Sequence, residues 1–271
     1  MLTTARRFFL LFCIIMNPNL RPTPEQRLAA RSGEPTGPAW TVGWHQAIFE
    51  HYRVLDPDHL ARLLPAPLIL DRDDQDDAWL SVVSFRMTNM RWRGLIPLPF
   101  ASTYAQINVR VYVHAPDGTP GVFFLRNYVS NRLAAEAGRA LYGMPYVFEP
   151  VTLQSDEHGV LCQATNPAVG LAHRVSGMPG GTIEAHEHDP DGLLFFLTER
   201  YPLFSRRKDR VCVARMLHPP WPLRKLHHVE QSHGATSALG LGEMLEPWPD
   251  VQCSAGVEVQ MWPPRRLSYS L

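Results

Sequence analysis

Five residues at alternate positions, Gln106, Asn108, Arg110, Tyr112 and His114, could form one wall of a site. In an extended chain successive side chains point to opposite faces, so these five share a face while Ile107, Val109, Val111 and Val113 share the other. A guanidinium such as Arg110 can bind a carboxylate through two parallel N–H bonds, and the amides can hold carbonyl or hydroxyl oxygens. On a sheet with one wet face this ladder is ordinary surface; inside a closed sheet it is a pocket wall. Two further arginines, Arg126 on the next extended run and Arg139 on a helix, flank a segment that carries Tyr142 and Tyr146. A phenol beside a guanidinium can donate a hydrogen bond, or act as a general acid/base if its pKa of about 10 is depressed. The plainer alternative makes the tyrosines packing aromatics and the arginines solvated. Gln106, Asn108, Arg110, Arg126, Arg139, Tyr142 and Tyr146 are therefore the ligand-binding candidates, with Tyr146 the candidate catalytic group.

Other chemistry is poorly served. Lys208 and Lys225 are the only lysines, and Lys208 lies in the charged run Arg206-Arg207-Lys208-Asp209-Arg210, which should stay solvated and protonated. Two imidazoles of His186-Glu187-His188-Asp189 would share a face, but no third ligand is spaced nearby, so no metal is expected. Ser176-Gly177-Met178-Pro179-Gly180-Gly181 lacks the Lys-Ser/Thr ending of a P-loop and reads as a mobile loop. No Gly-x-Ser-x-Gly elbow anchors a hydrolase triad. His218 and Trp221, between prolines, read as a rigid packed loop, with a pocket rim as the alternative. No motif calls for a cofactor.

The elements that must position these residues follow from capping and periodicity. Asp56 caps a short helix that opens with Pro57. Trp79–Phe85, Ile107–Val113 and Gly121–Val129 read as strands, the last two joined through Pro116-Asp117-Gly118 as a hairpin. Ser130 is the expected cap of a helix over 131–142, with Leu133, Ala134, Ala137 and Leu141 on one face, ended by Gly143 and Pro145. Shorter strands follow at 151–153, 160–164 and 171–175. A helix capped by Asp191 spans 192–201, and strands return at 211–217 and 257–261. This order gives an α+β, mainly β fold with two or three inserted helices.

The 271 residues, 45% hydrophobic, can bury a large core without staples. Acidic and basic residues balance at 26 each, so no global field attracts nucleic acid or anionic lipid. The scattered Cys13, Cys162, Cys212 and Cys253 fit a reducing cytoplasm, the expected location. No run approaches the roughly 20 apolar residues of a membrane span. Arg6-Arg7 with the apolar run Phe8–Met16 looks like a signal segment, but Asn17-Pro18-Asn19 offers no cleavage site, so Met16 as the true start is preferred. Residues 1–38 are accordingly read as a flexible or over-called arm, and 39–271 as a single domain.

Seven motifs in order carry a resemblance: Phe85-Arg86-Met87, Arg93-Gly94-Leu95-Ile96-Pro97-Leu98-Pro99, Asn108–Val113, Gly121-Val122-Phe123-Phe124, Leu141–Tyr146, Phe195–Tyr201 and His218–Leu223. Together they resemble the uncharacterised YqjF-like bacterial proteins, domain of unknown function 2071. That family is similar in fold to acetoacetate decarboxylase, which implies a cone-like β-barrel with a central pocket. The run Gly138-Arg139-Ala140-Leu141-Tyr142-Gly143-Met144-Pro145-Tyr146 resembles the decarboxylase segment that presents the imine-forming lysine, with Tyr146 in the lysine's place. Tyr104-Ala105-Gln106 matches the strand position of the decarboxylase's catalytic glutamate, replaced here by Gln106. Both substitutions imply that this activity is gone. The expected function is binding of a carboxylate- or carbonyl-bearing small molecule. The alternative is an enzyme of unassigned reaction working on a small oxo or carboxylic acid by acid/base chemistry, with Tyr146 and the arginines. The expected partner is thus a small-molecule ligand, with neither nucleic acid nor membrane; self-association into a homo-oligomer stays open.

Overall fold

A computed structural model of the chain describes residues 21–32, 35–97, 100–156, 158–184 and 189–268. In chain order it begins with α1 (Pro24–Ala29), β1 (Trp40–Val54), α2 (Pro57–Arg62), β2 (Ile69–Leu70) and β3 (Trp79–Trp92). The hairpin β4 (Tyr104–His114) and β5 (Pro120–Val129) leads to α3 (Arg132–Ala137), which widens into a π-helical turn over Gly138–Tyr142. Then come β6 (Tyr146–Phe148), β7 (Thr152–Ser155), β8 (Val160–Asn166), β9 (Leu171–Thr182) and α4 (Leu193–Thr198). The remainder is β10 (Pro202–Arg207), β11 (Arg210–Leu217), β12 (Leu223–His233), α5 (Gly234–Ser237), β13 (Leu245–Pro247), β14 (Gln252–Met261) and β15 (Arg265–Arg266).

Seven of these strands close a ring in the order β1, β3, β4, β5, β10, β11, β14 and back to β1. Neighbours are antiparallel except β5 and β10, which run parallel. The closing seam pairs β1 with β14 from Trp40↔Met261 to Phe49↔Gln252. Alternation along each strand then produces two cores. Inward positions such as Trp44, Phe49, Val83, Phe85, Val122, Leu203 and Val259 pack inside the ring. Outward positions such as Ile48, Leu80, Val82, Ile107, Val109 and Val111 pack against Leu153, Cys162, Leu171, Val175 and Leu226. Those partners belong to an outer layer, β12-β9-β8-β7, which leaves the ring where β12 pairs with β14. Both faces of β4 are therefore buried along its whole length, and it has no wet side.

Several local expectations change. Asn131, not Ser130, caps α3: its side chain accepts from the Ala134 N–H at 2.9 Å, while Ser130 Oγ accepts from the Ala105 N–H instead. Leu133 and Leu141 are largely exposed, and Ala134, Ala135 and Tyr142 are the buried positions of α3 and the π turn. Ser176–Gly181 is part of β9 rather than a loop; glycine at 177 leaves room for Leu226, which a Cβ would meet at 2.6 Å. The helix after Asp191 is shorter, with Gly192 at its cap. Among the described residues of 1–38, α1 packs onto the domain with Arg27 buried.

Asn131→Ala should lower stability by about 1 kcal/mol in urea unfolding, while Asn131→Ser retains an acceptor and loses less. Equal losses for the two variants would mean that the cap does not hold α3.

Candidate functional site

The ring interior is not filled. It holds a cavity of about 110 Å³ that opens to solvent at one end. The polar face of β4 forms one wall, with Tyr104, Gln106, Asn108 and Arg110 lining the cavity in succession. Tyr112 and His114 continue the same face below it, fully buried. The other walls are apolar, built from Trp44, Val83, Phe85, Met87, Phe124, Met216, Trp221 and Met261. Among the described lining residues the charged ones are two arginines, Arg110 and Arg200, and none is a carboxylate.

Arg110 is 9% exposed. One guanidinium nitrogen donates to the Leu197 carbonyl at 3.3 Å, and its Nε–H has no partner. Arg200, 4% exposed, follows α4 and is more elaborately held. Its Nε donates to the Phe196 carbonyl at 2.7 Å, and Nη1 donates to Asp71 Oδ2 at 2.8 Å. The guanidinium lies over the Phe196 ring at 4.2 Å, and its Nη2 has no partner. Arg27 of α1 donates to both oxygens of the same Asp71, at 2.9 and 3.1 Å. Asp71 thus lies between two guanidinium groups, which hold its carboxyl below the usual range against the opposing effect of burial. Burial, with the charge of Arg27, brings Arg200 down to about 10, still protonated at neutral pH.

Beneath these arginines a buried hydrogen-bond chain runs from His51 Nδ1 to Ser81 Oγ at 2.6 Å, then to Tyr112 Oη. Tyr112 Oη donates in turn to the Leu197 carbonyl at 2.7 Å. Burial and the charge of Arg110 push His51 down to about 3, so it stays neutral. His218 also lines the cavity; its Nδ1 donates to the Pro219 carbonyl at 2.8 Å, leaving Nε2 as the basic nitrogen. Burial lowers its pKa as well.

Tyr146 reaches the cavity through a local device. Gly143 ends the π turn in the left-handed conformation, with φ of 65°. Pro145 stops the helix, and β6 then pairs in parallel with β5, placing Tyr146 beside Asn127. Gly138 lets the tyrosine ring lie against the turn: a Cβ there would meet the ring at 2.4 Å. Burial pushes the Tyr146 phenol up to about 12, countered in part by a hydrogen bond with Tyr104, so it is a neutral donor. Burial likewise raises Tyr142, whose hydroxyl has no partner.

Of the candidate residues, the fold gathers Gln106, Asn108, Arg110, Tyr142 and Tyr146 around one cavity. Arg126 and Arg139 are not in its lining. A bulge in the hairpin pairs Val109 with Arg126 but Arg110 with Phe124, so Arg126 shares the outward face with Val109. Arg139 is exposed, bound to Glu136, and donates to the Tyr146 carbonyl at 3.0 Å, not to the phenol. His218 and Trp221 lie in the lining, with Trp221 buried in the wall. Arg200 was missed, although it sits in the Phe195–Tyr201 motif, just after an apolar run. Asn127, opposite Asn108 and buried with neither amide atom partnered, was hidden by the bulge. The His186–His188 cluster lies outside the described residues, and no group of metal ligands occurs among those described.

Residues 41–258 match the family described as an uncharacterized conserved protein, domain of unknown function 2071. The chain belongs to this family. It is 28% identical over 229 residues to the uncharacterized protein YqjF of Bacillus subtilis strain 168, covering 83% of this chain and 91% of that one. The fold is that of acetoacetate decarboxylase-like proteins. The acetoacetate decarboxylase of Legionella pneumophila is 12% identical with a TM-score of 0.60, over 92% of this chain and 97% of that one. The enduracididine biosynthesis enzyme MppR, solved in complex with pyruvate, is 15% identical with a TM-score of 0.57, over 88% and 93% of the two chains. The chain thus has a mainly β, decarboxylase-like fold, and among the described residues no helix is long and apolar enough to cross a membrane.

Asp71→Asn leaves Arg27 and Arg200 buried without a counter-charge and should cost about 3–5 kcal/mol in urea unfolding at pH 7. Because the folded pKa of Asp71 is depressed, its contribution is complete above about pH 4 and fades as pH falls through the folded value. The gap between wild type and variant should close in acid; a gap independent of pH would rule the ion pairs out as its source.

Proposed function

We propose that the ring cavity binds a small molecule bearing a carboxylate or carbonyl group, and that the protein is not an imine-forming decarboxylase. The observation that carries this reading is a set of buried polar atoms without partners, Arg110 Nε, Arg200 Nη2, Gln106 Oε1 and Asn108 Oδ1, gathered in an otherwise apolar space. Leaving such groups unmet is costly, and a ligand with an anionic head and neighbouring oxygens would meet them. A cavity whose described charged groups are both cationic favours an anion. A neighbour of the same fold holding pyruvate, a small oxo acid, points to the same class.

The reading against imine chemistry rests on Tyr146, which stands where the decarboxylase lysine would be, and on the two lysines. Lys225 bonds Asp250 at 3.0 Å on the surface, and Lys208 lies in the turn between β10 and β11, exposed. With its phenol raised rather than depressed, Tyr146 serves this site as a hydrogen-bond donor beside the ligand, not as a base.

Full-length protein screened by thermal shift against oxo, hydroxy and unsaturated carboxylic acids should gain stability, about 2.7 kcal/mol at a hundred times Kd. Methyl esters of the same acids should fail, and Arg110→Met should weaken binding at least about tenfold. Esters binding as well as acids would remove the arginine from recognition. Treatment with a 2-oxo acid and borohydride should leave the intact mass unchanged; a trapped adduct on either lysine would restore imine chemistry.

A further inference from the structure

The cavity has two chemically distinct ends, and their order along β4 bears on the kind of acid it would hold. Every residue of β4 is buried, and the difference between the two ends shows in the residues around it. Arg110, Arg200, Leu203 and Val122 are buried, whereas Trp40, Met90 and Ala101 are partly exposed and Leu141 is 54% exposed. The arginines therefore form the floor and the apolar residues the mouth. Arg110 and Tyr104 are six residues apart on one strand, a separation of about 20 Å. The space between them is bounded by the amides of Gln106 and Asn108, with Phe85 and Met87 on the adjoining β3 and Trp44 on β1. A three-carbon oxo acid seated on the arginines would leave most of that length empty.

The mouth continues onto an apolar surface. Leu95, Ile96 and Phe100, on the loop after β3, are 62%, 83% and 89% exposed, and Leu133 on α3 is 60% exposed. The Asn131 amide donates to the Phe100 carbonyl at 2.6 Å, next to the lining residue Ala101, and ties that point of the loop to the start of α3. Exposed apolar groups around an opening are suited to receive an apolar ligand rather than a hydrated one.

We infer that the cavity takes an amphipathic monocarboxylic acid head-first, with its carboxylate between Arg110 and Arg200 at the floor and an apolar tail of medium length along Phe85 and Met87 to the mouth at Leu141. This deepens the carboxylate reading above and rests on it. The floor is built for an anion: Asp71 is already shared between Arg27 and Arg200, leaving Arg200 Nη2 and Arg110 Nε as uncommitted donors. Arg139, at the mouth end, is occupied by Glu136 and the Tyr146 carbonyl and is a poor competing anchor.

The test is isothermal titration of full-length protein with acetate, butanoate, hexanoate, octanoate and decanoate, together with pyruvate, acetoacetate and 1-octanol. Affinity should rise about two- to fourfold per added methylene as far as octanoate. The alcohol should bind at least tenfold more weakly than octanoate, and pyruvate and acetoacetate should rank with the shortest acids. Arg110→Met and Arg200→Met, each checked for a native circular dichroism spectrum and a cooperative melt, should weaken every acid by a similar factor and keep the slope against chain length. Leu141→Asp, an exposed and structurally mild change, should flatten the slope for the longest acids and spare butanoate. If pyruvate binds as tightly as octanoate, the inference fails while the carboxylate reading stands. If Leu141→Asp leaves the slope intact, the head-first orientation is wrong. If no carboxylate binds the folded protein, both readings fall together.

Discussion

Closing seven strands into a ring takes their inner face out of water, and over β4 the outer layer covers the other face too; much of the structure answers that constraint. A face bearing Gln106, Asn108, Arg110, Tyr112 and His114 would be an ordinary solvated surface on an open sheet. Inside the ring each of these groups must find a partner in protein or ligand. Tyr112 does so through Ser81 and the Leu197 carbonyl, and His114 through the Ala115 carbonyl. Higher on the same strand the oxygens of Asn108 and Gln106 do not, and there the interior opens into a cavity.

The cationic floor follows the same logic. An arginine in an apolar enclosure is tolerated only with compensation, and Asp71 supplies it by taking bonds from Arg27 and Arg200 at once. One carboxylate for two guanidinium groups leaves the cluster with a positive charge. The arrangement also fastens α1 to the ring, since Arg27 is its buried residue. A segment outside the ring thereby fixes the orientation of Arg200, and binding and stability share one set of contacts.

The outer layer explains how the ring interior can stay open. Ile48, Val82, Ile107 and Val109 bury their outward face against β8, β9 and β12, so the strands have a continuous core that does not depend on filling the interior. That core also contains a second polar group: Glu50 lies 3.3 Å from His173, both buried, with the Tyr52 hydroxyl donating to the other carboxylate oxygen. Inside the ring the aromatic contacts of Trp44 with Phe85 and Trp221 link β1 to β3 and to the segment before β12. Burying the outward face and bracing the inner wall keep the cavity walls in place without a ligand.

The sequence by itself determined the place of β3, β4, β5, β7, β8, β9, β11 and β14, though not of β1, β10 or β12, together with the hairpin, the stop at Gly143 and Pro145, and the shared face of Gln106, Asn108 and Arg110. Each follows from short-range rules of alternation, turn chemistry and capping that act within a few residues. It also carried the family, because seven ordered motifs survive without any knowledge of contacts. Which face of β4 turned inward was decided only by closure of β1 on β14, a pairing of residues some 200 positions apart in the chain. The bulge that moved Arg126 to the outward face, and the shared carboxylate of Asp71 that brought Arg27 and Arg200 together, are likewise invisible to local pattern. A strand's periodicity fixes which side chains travel together, but only packing against distant strands fixes which way they face.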